Sequence, residues 1–76
     1  MPRIETDAQA WAWLVKWQRS ASGRDVAIGL DTASDGRRAV TVYLFRIVNC
    51  TAESKSSGLA DTLAAAVRKV MAAKWE

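Results

Sequence analysis

Residues 26–48 read VAIGLDTASDGRRAVTVYLFRIV, and the way the two apolar runs of this stretch pair decides the fold. Val26, Ile28 and Leu30 alternate with Ala27 and Gly29 at the period of a strand. The run from Ala39 to Val48 is dense in β-branched and aromatic residues, the composition of a pleated, packed surface. Between them Asp35-Gly36 is a two-residue hairpin signal, because both residue types tolerate positive φ. With Asp35-Gly36 as the loop, Ser34 pairs with Arg37, Leu30 with Thr41, Ile28 with Tyr43 and Val26 with Phe45. One sheet face then carries Val26, Ile28, Leu30, Tyr43, Phe45 and Ile47, and the other Ala27, Gly29, Val40, Val42 and Leu44. Both faces are apolar, whereas a sheet with one wet face alternates with polar residues. The expectation is therefore cover on both faces, from two helices or from one helix and a second subunit.

A helix precedes the hairpin. Thr6-Asp7-Ala8-Gln9 has the form of a capping box, and no glycine or proline interrupts the chain until Gly23. The expected span is Asp7 to Ala21, with Gly23 as a left-handed stop. After the hairpin, NCTAESKSS (residues 49–57) is polar and serine-rich, either a loop or a short third strand and then a loop. A second helix is expected from Leu59 to Lys74, capped by Ser56, Ser57 or Gly58 and with Asp61 in its first turn. Leu59, Leu63, Ala66, Val67 and Val70 share one side of it. The fold class is α+β, αββα or αβββα, with two helices packed on a small antiparallel sheet. Residues 1–76 form a single domain.

AWAWLVKW (residues 10–17) places three of the four tryptophans in two helical turns. At 100° per residue, Ala10, Trp13, Leu14 and Trp17 fall on one side, the core side. Trp11 falls off it and groups with Ala8 and Val15. It is either covered by the sheet and second helix or exposed, with Val15, as an apolar patch for a partner. Trp75 belongs at the sheet rim or in the same patch.

Composition removes much chemistry. There is no histidine, the commonest general base and metal ligand, and the single Cys50 forms no internal disulfide. Cys50 reads as a buried, inert thiol. The eight carboxylates are scattered, and no Walker motif is present. The expectation is no catalytic residue, no metal, no cofactor and no enzyme. No basic start with an apolar run marks a signal peptide, and no stretch approaches the roughly 18 apolar residues of a membrane span. A cytoplasmic protein without a membrane partner is expected.

Net charge is +3, from eleven Lys and Arg against eight Asp and Glu. Arg24, Arg37, Arg38, Arg68 and Lys69 define a nucleic-acid alternative. The element order, with serine, lysine and an alanine-rich last helix, resembles double-stranded RNA-binding domains. Their lysine cluster before the last helix is reduced here to Lys55. The main reading is protein binding, with Trp11 and Val15 as apolar anchors and Arg19, Arg37 and Arg38 as polar contacts. The expected partner is a protein or protein complex, with a homodimer as a further possibility.

Most of the chain also resembles a family of small phage proteins described as an ABA sandwich domain: helix, antiparallel sheet, helix. The resemblance lies in TDAQAWAWLVKW (residues 6–17), VAIGL (26–30), VTVYLF (40–45) and GLADTLAAAVRKVMA (58–72). The last matches a similar Ala-Asp-Thr entry into an alanine-rich final helix. The segment after Phe45 departs from the family in being more polar and less glycine-rich. The resemblance implies a phage or prophage accessory protein in the cytoplasm of the bacterial host, an inhibitor of host defence of the anti-CRISPR kind that occludes a surface of its target, a host protein or protein complex. It carries over no catalytic residues.

Overall fold

A computed structural model of the chain describes residues 3–75. The order is α1 (Asp7–Arg19), β1 (Arg24–Thr32), β2 (Arg38–Val48), β3 (Thr51–Ser56) and α2 (Leu63–Ala72). The fold is thus α+β, in the αβββα form.

The hairpin turns through three residues rather than two. Ala33 N–H donates to Arg37 O (2.8 Å) and Gly36 N–H to Ala33 O (2.9 Å), with Gly36 at φ +85°. This is a type I turn closed by a left-handed glycine, the common three-residue alternative to a two-residue loop. The extra loop residue moves the register by one. Val26 pairs with Leu44, Ile28 with Val42 and Leu30 with Val40. A one-residue shift re-sorts side chains between faces. The expected pairings of Ser34 with Arg37, Leu30 with Thr41, Ile28 with Tyr43 and Val26 with Phe45 are corrected accordingly. Val26, Ile28, Leu30, Val40, Val42 and Leu44 share one face, while Ala27, Gly29, Tyr43, Phe45 and Ile47 share the other.

The polar segment after Val48 is a third strand. Val48 pairs with Thr51 across Asn49 and Cys50, both at positive φ (51° and 63°), as a tight two-residue hairpin requires. Cys50 sits at that tip and is exposed, not buried as expected. β3 lies antiparallel to β2, giving the sheet order β1-β2-β3. Ala60 then forms an isolated bridge with Val40 and is buried.

Both helices pack on the aliphatic face. Ala10 and Leu14 of α1 and Ala64, Ala66, Val67 and Val70 of α2 form one core with Val42 and Leu44. The other face has no such cover: Tyr43 is 39 %, Phe45 41 % and Ile47 60 % exposed. The expected cover of both faces by the chain's own two helices is therefore corrected: both helices lie on one face.

Helix ends follow local chemistry. Thr6 and Gln9 form the expected capping box, each side chain bonded to the other's end of the turn. α1 stops at Arg19, capped by Ser20, so Gly23 (φ +75°) serves the entry into β1 instead. α2 begins later than expected. Its N-cap is Thr62, whose Oγ1 accepts from Ala65 N–H (3.1 Å), so Asp61 precedes the helix and Leu59 lies outside it. Asp7 Oδ1 accepts from Ala64 N–H (3.1 Å), fastening the start of α1 to the start of α2.

Candidate partner-binding surface

Helical phase places Leu14 in the core and turns Trp11 and Val15, four residues apart, toward the outer side of β1. Trp11, Leu14, Val15 and Gln18 line a groove of about 220 Å³ with Val26 and Ile28. Trp11 is 57 % exposed and Val15 partly buried. Farther along β1, Leu30 is 86 % exposed. Leu30 shares the helix-facing side of the sheet, yet it lies outside the core that α1 and α2 build. An apolar row from Trp11 through Ile28 to Leu30 thus runs beside a free sheet edge.

The other side of α1 faces Arg3, Ile4 and Trp75. Trp13 and Trp17 are only partly buried, because they also wall a groove of about 580 Å³ with Ile4, Ala12 and Lys16. Trp17 stacks on Trp75, ring centroids 5.9 Å apart. Arg24 covers Trp17 at 4.8 Å, and Arg46 and Lys55 cover Trp75 at 4.0 Å and 4.7 Å. Lys55 also donates to Ala73 O (3.3 Å). Burial, and secondarily the Arg46 guanidinium, pull the Lys55 amine below its ordinary value of 10.5. Trp75 therefore belongs to the β2–β3 rim and does not join Trp11.

The arginines expected as polar contacts do not converge. Arg19 ends α1, next to the start of β1, while Arg37 and Arg38 lie at the opposite end of β1, at the hairpin tip. Nine strand residues, roughly 30 Å, separate these ends. Four of the five residues of the nucleic-acid set are engaged within the chain. Arg24 donates to Trp17 O (3.2 Å) and to Ser20 Oγ. Arg37 pairs with Asp35 (2.6 Å), Arg68 donates to Ile4 O (2.7 Å) and Lys69 to Leu59 O (2.8 Å). Among the described residues Arg38 has no such acceptor.

The aromatic sheet face escaped the sequence reading, because the assumed register merged it with Val26, Ile28 and Leu30. Tyr43 and Phe45 lie nearly parallel, ring centroids 6.4 Å apart at 19°. Gly29 leaves space beside the Tyr43 ring, whose Cε2 would stand 3.6 Å from a Cβ there. Among the described residues no three His, Cys, Asp or Glu side chains cluster as metal ligands would, and no helix is long and apolar enough to cross a membrane.

No family model, no curated protein and no solved structure matches the chain.

Proposed function

We propose that this chain is a non-enzymatic protein-binding module that acts by covering a surface of its target. The docking surface is the α1–β1 edge, with Trp11 and Val15 as anchors and Arg38 as a polar contact at the hairpin end. The observation that carries this reading is the exposure of Trp11, in one groove with Ile28, and of Leu30 two residues farther along the same strand face. Large side chains left contiguous and unburied at a rim are the raw material of binding hot spots. The phage-family resemblance supplies the class of target: a host protein or complex whose working surface is occluded.

The nucleic-acid alternative draws on one observation, the third strand, which completes the αβββα order of double-stranded RNA-binding domains. Against it stand the internal acceptors of Arg24, Arg37, Arg68 and Lys69. Phosphate contacts would have to replace those bonds, and so few of them give weak, salt-sensitive affinity.

Capture from nuclease-treated bacterial lysate, compared between the native chain and Trp11→Ala, tests the reading. The expected result is a stoichiometric protein partner that survives nuclease and is lost with Trp11→Ala. The variant should stay folded, well short of the roughly 3–5 kcal/mol cost of truncating a core tryptophan. Capture that disappears on nuclease treatment, and with Arg37→Glu plus Arg38→Glu, transfers the function to the basic surface.

A further inference from the structure

The same edge carries a more specific inference, which rests on the reading of α1–β1 as a docking surface. β1 is an outer strand. Ile47 N–H donates to Gly23 O, and Ala33 N–H to Arg37 O. In an antiparallel ladder, bonded pairs alternate. The odd-numbered residues of β1 therefore turn their amides to β2, and the even-numbered ones turn theirs outward. Two outward amides are already occupied by the preceding side chain. Asp25 Oδ1 accepts from Val26 N–H (2.8 Å) and Asp31 Oδ1 from Thr32 N–H (2.9 Å). Between these guarded ends the outward amides of Ile28 and Leu30 have no partner among the described residues. Charged residues commonly blunt a whole sheet edge; here they blunt its ends and leave the middle.

We propose that a second copy of this chain fills that window. The two β1 strands pair antiparallel about a two-fold axis at Gly29, joining two three-stranded sheets into one of six strands. Directly opposed residues must share a face, so the axis passes through a residue position. Centred on Ile28, the pairing sets Asp25 directly against the partner's Asp31 at both ends, opposing like charges. Centred on Ala27, it pairs Ile28 with the partner's Val26, whose amide Asp25 already holds, and leaves Leu30 unused. Centred on Gly29, it gives Ile28 the partner's Leu30, and Leu30 the partner's Ile28. The open amides meet only each other, in four hydrogen bonds, and Asp31 faces the partner's Ala27.

The side chains agree with this register. Trp11 and Ile28 line one groove, so when Ile28 lies against the partner's Leu30, Trp11 reaches over that leucine. The two most exposed parts of the apolar row cover one another across the axis. The other outer strand, β3, is TAESKS, short and polar, and offers no such row.

Sedimentation equilibrium of the full chain over a wide concentration range tests this. The expected mass rises from 8.3 kDa to twice that value and no further. Leu30→Glu should hold the chain monomeric at every concentration, with the melting curve that the native chain shows when dilute enough to be monomeric, since Leu30 is exposed in the single chain. Ala27→Lys should tighten the dimer severalfold by meeting the partner's Asp31. Gly29→Cys in a Cys50→Ser background should cross-link at the axis, where facing Cα atoms lie about 4.5 Å apart. A native chain that stays monomeric, or a dimer indifferent to Leu30→Glu, overturns the proposal. A dimer loosened by Ala27→Lys overturns the register. A monomer that still captures its protein partner through Trp11 overturns only the second copy as occupant, and the docking reading stands.

Discussion

Trp17 stacks on Trp75 with ring centroids 5.9 Å apart and the planes 16° from parallel, so the segment after α2 closes over the last turn of the first helix. Arg24 caps one ring and Arg46 and Lys55 the other, which ties α1, β1, β2, β3 and the segment after α2 together at one end. An aromatic pair adds about 0.5–1.5 kcal/mol beyond its buried area, and an exposed cation–π contact about 0.5–1. Trp75→Ala should therefore cost about 2–3 kcal/mol in urea denaturation, whereas Trp75→Phe keeps a stack and most of that stability. A loss near zero for Trp75→Ala would remove this closure from the fold.

Lys55 gives the same end a pH signature. Its amine is held below the ordinary 10.5, first by burial and then by Arg46. The unfolded chain therefore binds more protons than the folded one between the lowered value and 10.5. Stability from this group rises with pH across that window. In Arg46→Gln the Lys55 resonance should titrate at higher pH in a nitrogen-detected NMR titration, because a repelling cation is gone. Titration at or above 10.5 in the native chain would mean that burial and Arg46 do not govern this amine.

Asp7 links the two helices at the opposite end of α1. Its carboxylate accepts from Ala64 N–H, one of the free amides at the start of α2. Asp7→Ala should cost about 0.5–2 kcal/mol, the usual range for a lost helix cap, and Asp7→Asn less. Hydrogen exchange at Ala64 checks the assignment, since only that loss should speed it beyond the global change.

The capping box, the helix–strand–strand order and the place of Trp11 off the core side of α1 were legible because each depends on residues a few positions apart. The third strand was open to two readings, because polar TAESKS lacks strand periodicity and is held only by its pairing with β2. The α2 start moved from Leu59 to Leu63 because Ala60 is taken by Val40 in a bridge, a long-range bond that local capping signals do not encode. The stack of Trp17 on Trp75 left no signal, since nothing near either residue points to the other. The largest difference arose from one loop residue. Ser34 joins Asp35 and Gly36 in the turn, and that single position moved Tyr43, Phe45 and Ile47 away from Val26, Ile28 and Leu30.

That turn yields the sharpest test of the sheet's arrangement. Gly36 stands at φ +85°, with nothing within 4 Å of where a Cβ would lie. Any loss on Gly36→Ala therefore reports backbone conformation and not crowding. The expected cost is about 1 kcal/mol or more in chemical denaturation. Deleting Ser34 shortens the loop to the two-residue Asp35-Gly36 form, with Ala33 still opposite Arg37. Ile28 then stays opposite Val42, and the core shared with Ala10, Leu14, Val67 and Val70 keeps its partners. The deletion should leave unfolding cooperative, with a cost confined to the turn, and so should an alanine at position 34. A Ser34 deletion that abolishes cooperative unfolding would mean that this register depends on the three-residue turn.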